Sequence, residues 1–155
     1  SSFQNPTLDR GNWKADAIVE LIWQMGKGGR HPVRTAVLAN HAHFHVNLFN
    51  YAAHLKEKPM VFVVCEDTTS PFSADRCLRR IVVGSDFLLD KTGKRTVAGP
   101  DRYGALLDGW MEDRCLPFRP VPLGLSLPDG SSVRLWRKTA FLPAGSSPCL
   151  VPDKS

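Results

Sequence analysis

Between Trp13 and Met25 the apolar positions recur at Ala17, Leu21 and Met25, with Ile18 and Ile22 beside them. That spacing predicts an amphipathic helix. Asn12 stands where a cap is wanted, and Gly26 where a helix ends on a residue of positive φ. From Pro32 to Lys58 two periods compete. At helical spacing Val37, His41, Phe44, Leu48, Tyr51 and Leu55 form one stripe, with Pro32 in the first turn and Lys56 and Lys58 at the C-terminal end. With period two, Ala42, Phe44, Val46 and Leu48 face one way, and His41, His43 and His45 face the other. Length favours the helix and alternation favours the strand, and the pattern alone leaves both open.

Further along, the run MVFVVC after Pro59 reads as a buried strand feeding a polar loop. Arg80 to Val83, extending towards Leu89, is a second predicted strand, and DKTGKR a turn. Arg102 to Met111 is predicted as a short helix with Leu106, Leu107 and Trp110 inward and Asp101 as its cap. PFRPVPLG allows extended backbone with edge-type pairing only. Leu125–Leu127 and Val133–Trp136, joined through Pro128-Asp129-Gly130, form a predicted hairpin. The expected layout is an irregular lead-in over 1–12, one globular domain over 13–142 and a loose tail over 143–155. The expected fold class is α+β, with N-terminal helices, a small mixed sheet and a C-terminal hairpin. It becomes α/β if the strand after Pro59 lies parallel to another.

Composition narrows this picture. A chain of 155 residues, 43% hydrophobic and 23% charged, suits one folded domain and excludes the disordered class. No apolar run approaches the roughly 18 residues of a membrane span. The net charge of +5 is uneven: residues 1–77 carry 8 basic and 7 acidic side chains, residues 78–155 carry 12 and 8. Arg79, Arg80, Arg134, Arg137 and Lys138 are the expected phosphate-binding residues, facing nucleic acid or an acidic protein surface. Cys65, Cys77, Cys115 and Cys149 include no CxxC pair, which argues against a zinc ribbon. The expectation is reduced thiols in a cytoplasm, or secretion if the chain is a processed piece. Trp13, Trp23, Trp110 and Trp136 are spread too widely for a stacking platform, and core or partner contacts are expected of them.

The chemistry centres on His41, His43 and His45. On a strand, alternate imidazoles project to one side and can share a divalent metal (Mg, Mn or Zn), with Glu66 or Asp67 completing the ligand set. On a helix, only His41 and His45 share a face. The string His43-Phe44-His45-Val46 resembles the histidine–hydrophobic–histidine motif of the HUH endonucleases. That resemblance implies metal-assisted cleavage of a phosphodiester, with a tyrosine as nucleophile. Tyr51 and Tyr103 are the available tyrosines, and Tyr103 falls in the order of a single-tyrosine member. No lysine lies three or four residues after Tyr103, a departure from the pattern.

A basic hydrolase acting on a phosphodiester or nucleic-acid backbone is therefore the leading expectation. A non-enzymatic interaction module, anchored by exposed Trp and Arg, is the alternative. A cysteine–histidine hydrolase or transferase is the third. It would centre on Cys65, at the end of the predicted strand beside Glu66 and Asp67, or on Cys77, where Asp75 can cap a helix and Arg76, Arg79 and Arg80 favour a thiolate.

Overall fold

In the computed structural model of the chain, described over residues 12–65, 70–93, 108–109 and 116–139, the ambiguous segment resolves into both alternatives in succession. Val33–Val37 is a strand, β1, and Val46–Leu55 a helix, α2, with the histidines in the turn between them. Ahead of them Ala15–Gly26 forms α1; after them come β2 (Met60–Val63), α3 (Pro71–Gly84), β3 (Phe87–Lys91), β4 (Phe118–Val121) and β5 (Val133–Lys138). The five strands make one mixed sheet in the order β2-β1-β3-β5-β4. β1 runs parallel to β2 and β3, and β5 runs antiparallel to both β3 and β4. Among the described residues, three helices on such a sheet make an α+β domain with strands at its C-terminal end, as expected.

Each face of the sheet is covered, which explains the near-continuous apolar runs of β1 and β3. On one face Ile18, Val19 and Ile22 of α1 and Phe49, Ala52 and Ala53 of α2 pack against Val33, Val37, Phe62, Phe87, Leu89 and Leu135. On the other, Leu78 and Val82 of α3 meet Ala36, Leu38, Leu88, Phe118 and Trp136. Gly26 closes α1 without a positive φ; a Cβ there would lie 2.9 Å from Val33 Cγ1 and 3.1 Å from Phe87 Cε2. Close helix–sheet approach, rather than the expected left-handed cap, is what requires glycine. Asn12 Oδ1 accepts from Lys14 N at 2.7 Å, but Asn12 lies three residues ahead of the first helical residue, and the cap position is taken by Lys14, with no side-chain capping bond.

The strand predicted over Arg80–Val83 is helical instead. Ser70 Oγ accepts from Ser73 N at 3.1 Å, Pro71 occupies the first turn, and Asp75 pairs with Arg79 one turn on. These start signals, with Leu78 and Val82 buried four residues apart, outweigh the β-propensity of Ile81-Val82-Val83. Strand pairing begins only at Phe87. Pro32, expected in a helical first turn, precedes β1 through a cis bond to His31.

β4 is an edge strand, as its prolines demand. Of the predicted hairpin the turn is present, with Gly130 at φ 86°, Leu127 N donating to Ser131 O at 2.8 Å and Val133 N to Leu125 O at 3.0 Å. Leu125–Leu127, however, contributes only the isolated bridge Ser126–Ser132, and β5 forms its ladder with β4 instead. Asp129 in that turn is tied to the sheet by Lys91, which is fully buried and donates to its carboxylate at 2.9 Å. The predicted Arg102–Met111 helix, apart from 108–109, and the tail from 143 lie outside the described residues.

Candidate functional site

The histidine turn follows the carboxyl end of β1. His41 and Phe44 exchange backbone hydrogen bonds, each 3.1 Å, which closes the turn and delivers Phe44 to the core. Phe44 packs edge-on against Phe49 at 5.0 Å. His41 Nδ1 accepts from His43 N at 3.1 Å, and His45 Nδ1 accepts from Asn47 N at 3.2 Å as the cap of α2. Trp13 stacks on both His41 (5.1 Å) and His43 (5.0 Å). Burial, then the charge of His43, lowers the His45 pKa.

Neither predicted arrangement of the three imidazoles occurs, because they lie on a turn rather than along one strand or one helix face. Two of them spend Nδ1 on backbone amides. Among the described residues, no three His, Cys, Asp or Glu side chains converge as a metal site. Glu66, Asp67 and Tyr103 lie outside the described residues. Tyr51 is exposed on α2.

Cys65, just past β2, and Cys77, on α3, are joined in a disulfide with Cα atoms 5.8 Å apart. This corrects the expectation of reduced thiols for the pair. It also removes the thiolate of either cysteine as a nucleophile, since a disulfide sulfur carries no ionisable proton. The bond pins the start of the β2–α3 connection to the second turn of α3.

Of the five expected phosphate-binding residues, two are engaged elsewhere. Arg79 pairs with Asp75 at 3.0 Å. Arg134 pairs with buried Asp90 at 2.6 Å and lies over the Trp136 ring at 5.0 Å. The other three, Arg80, Arg137 and Lys138, gather at the amino end of the parallel strands with Arg30 and Arg34, which sequence reasoning missed. They line two adjoining clefts. One, of about 320 Å³, is bounded by Gly29, Arg30, Asp86, Arg137 and Lys138. The other, of about 580 Å³, is bounded by Arg30, His31, Arg34, Arg80 and the apolar Pro32, Val63 and Ile81. Arg30 belongs to both.

Helix ends explain part of this gathering. Two helices present their C-terminal carbonyls here, and cations are favoured at that pole. Lys138 Nζ donates to Val83 O at 2.8 Å, Arg30 to Gly84 O at 3.3 Å, and Arg137 to Met25 O at 2.9 Å. Asp86 is the acidic lining residue, accepting from Arg30 at 3.2 Å and from Arg34 N at 2.9 Å. Burial lowers the Lys138 pKa, against the opposing attraction of Asp86. Arg34 and Arg80 are exposed, and their guanidinium groups have no hydrogen-bond or ion-pair partner among the described residues. Arg30 and Arg34 flank His31-Pro32-Val33 and meet Arg80 only through the β1–α3 contact, so no local motif announces the group. Comparison with family models, with curated proteins and with solved structures returns no match for this chain.

Proposed function

We propose that the domain is a binding module for a phosphate-bearing anion, seated in the basic cleft at the amino edge of the sheet. One observation carries the reading: among the described residues, five cations, Arg30, Arg34, Arg80, Arg137 and Lys138, line adjoining clefts against one carboxylate, that of Asp86. Guanidinium groups suit phosphate because their planar forks donate two parallel hydrogen bonds. Arg34 and Arg80 are the anchors, since neither is engaged by another side chain. The disulfide supports placement of the domain in an oxidising compartment, where such bonds persist.

The test is thermal unfolding in pyrophosphate against chloride at matched ionic strength, beside the Arg34→Glu/Arg80→Glu variant. Pyrophosphate should raise the Tm of the wild-type domain, because a ligand that binds only the folded state stabilises it by mass action. The variant should lose that rise. An equal rise in both proteins would be a general salt effect and would remove the site.

A further inference from the structure

We infer that the cleft is a track for a linear phosphodiester polymer rather than a pocket for a single phosphate; this rests on the anion-binding reading above. The argument is the layout of the cations. Arg137 and Lys138 come from β5 and Arg34 from β1, on either side of β3, and Asp86, the residue ahead of β3, is the carboxylate between them. Arg137 reaches Met25 O at the end of α1, whereas Lys138 and Arg30 reach Val83 O and Gly84 O at the end of α3, so the cations are spread over two helix ends and both faces of the sheet edge. Arg137 and Lys138 line only the smaller cleft and Arg34 and Arg80 only the larger, so a lone phosphate uses one cleft and successive phosphates of one chain can use both. Arg30 stands where the two clefts join and can serve phosphates on either side.

The wall of the larger cleft adds a second feature. Pro32, Val63 and Ile81 offer apolar surface beside Arg34 and Arg80. His31 is exposed at the same cleft and backed by Trp23, the ring centroids 5.4 Å apart. Charge tracking a backbone with a ring at its side is the pattern of single-strand recognition, where bases stack on aromatic faces. An acidic peptide would use the cations but has no planar base for the ring.

The experiment is fluorescence anisotropy of a labelled oligothymidylate titrated with the disulfide-bonded domain at several salt concentrations. Poly(glycerol phosphate), polyglutamate and inorganic pyrophosphate serve as competitors. A chain engaging about three phosphates should lose roughly 20-fold in affinity between 50 and 200 mM salt. Arg34→Glu/Arg80→Glu should weaken binding at least 10-fold while its unfolding curve stays close to wild type. If poly(glycerol phosphate) competes as well as unlabelled oligothymidylate, the track holds and the backbone alone is recognised. If oligothymidylate is preferred and His31→Ala abolishes the preference, the track holds for nucleic acid. Pyrophosphate competing as well as the polymer, with a shallow salt slope, would overturn the track and leave the anion site standing. Polyglutamate competing equally at matched charge would overturn the phosphodiester assignment in favour of an acidic protein. Binding of none of these would overturn both readings.

Discussion

His45 caps α2 through a ring nitrogen that accepts a hydrogen bond only while the imidazole is neutral. Protonation removes the acceptor and sets a positive charge against the helix N-terminus, which repels it. With its folded-state pKa lowered from the ordinary 6.5, His45 contributes its full stability above about pH 6.5. That contribution is lost as the pH falls from there through the lower folded-state value. Denaturant unfolding between pH 8 and 5 should therefore show declining stability, and His45→Asn, a cap that does not titrate, should flatten the decline. His45→Ala should cost about 1 kcal/mol at pH 8, the usual value of a lost cap. Gly26 makes a second prediction at this scale. Alanine is the better helix former by about 1 kcal/mol, yet its methyl would press on Val33 and Phe87. Gly26→Ala should be net destabilising by up to about 2 kcal/mol in equilibrium unfolding, because overpacking typically costs about 1–3 kcal/mol against that gain.

Among the elements, β2 is an edge strand whose free side is occupied from within. Asn50 of α2 accepts from Phe62 N at 2.8 Å and donates to Phe62 O at 2.9 Å, as a neighbouring strand would. Exposed edges invite pairing with other chains, and this amide covers one. Asn50→Ala should cost about 1–3 kcal/mol through the two backbone groups left bare. It should also raise the tendency to associate, read by sedimentation at increasing concentration. Elements with strong local signals were legible in the sequence: the α1 stripe, the MVFVVC strand, the proline-bearing edge and the turn at Asp129-Gly130. The Pro32–Lys58 segment was not, because its two periods belong to two consecutive elements, β1 and α2, and neither period holds across the whole segment. The end of α3 is not legible locally, because Ile81-Val82-Val83 has the pattern of a strand and its place in a helix depends on a cap eleven residues upstream at Ser70.

For the molecule as a whole, what joins distant parts of the chain was largely hidden. The basic cleft draws on α1's trailing turn, β1, α3, the residue ahead of β3, and β5, so only the folded sheet brings Arg34, Arg80 and Lys138 to one edge. The histidine cluster, conspicuous in one dimension, serves turn closure and capping in three. The disulfide is likewise a tertiary fact, and it leads to a prediction about how the two faces of the sheet differ. The α1/α2 face buries the larger apolar cluster, including Phe44, Phe49 and Phe62. The α3 face is held by the smaller one and by the Cys65–Cys77 bond. Cross-links of this loop length typically stabilise by about 3 kcal/mol, chiefly by constraining the unfolded chain. Reduction should therefore lower the Tm and act unevenly. In hydrogen exchange under reducing conditions, amides around Leu78 and Val82 should lose protection first, while those around Ile18, Ile22 and Phe49 keep theirs until global unfolding. Uniform loss across both faces would mean that the two clusters open as one cooperative unit, with α3 held by packing rather than by its cross-link.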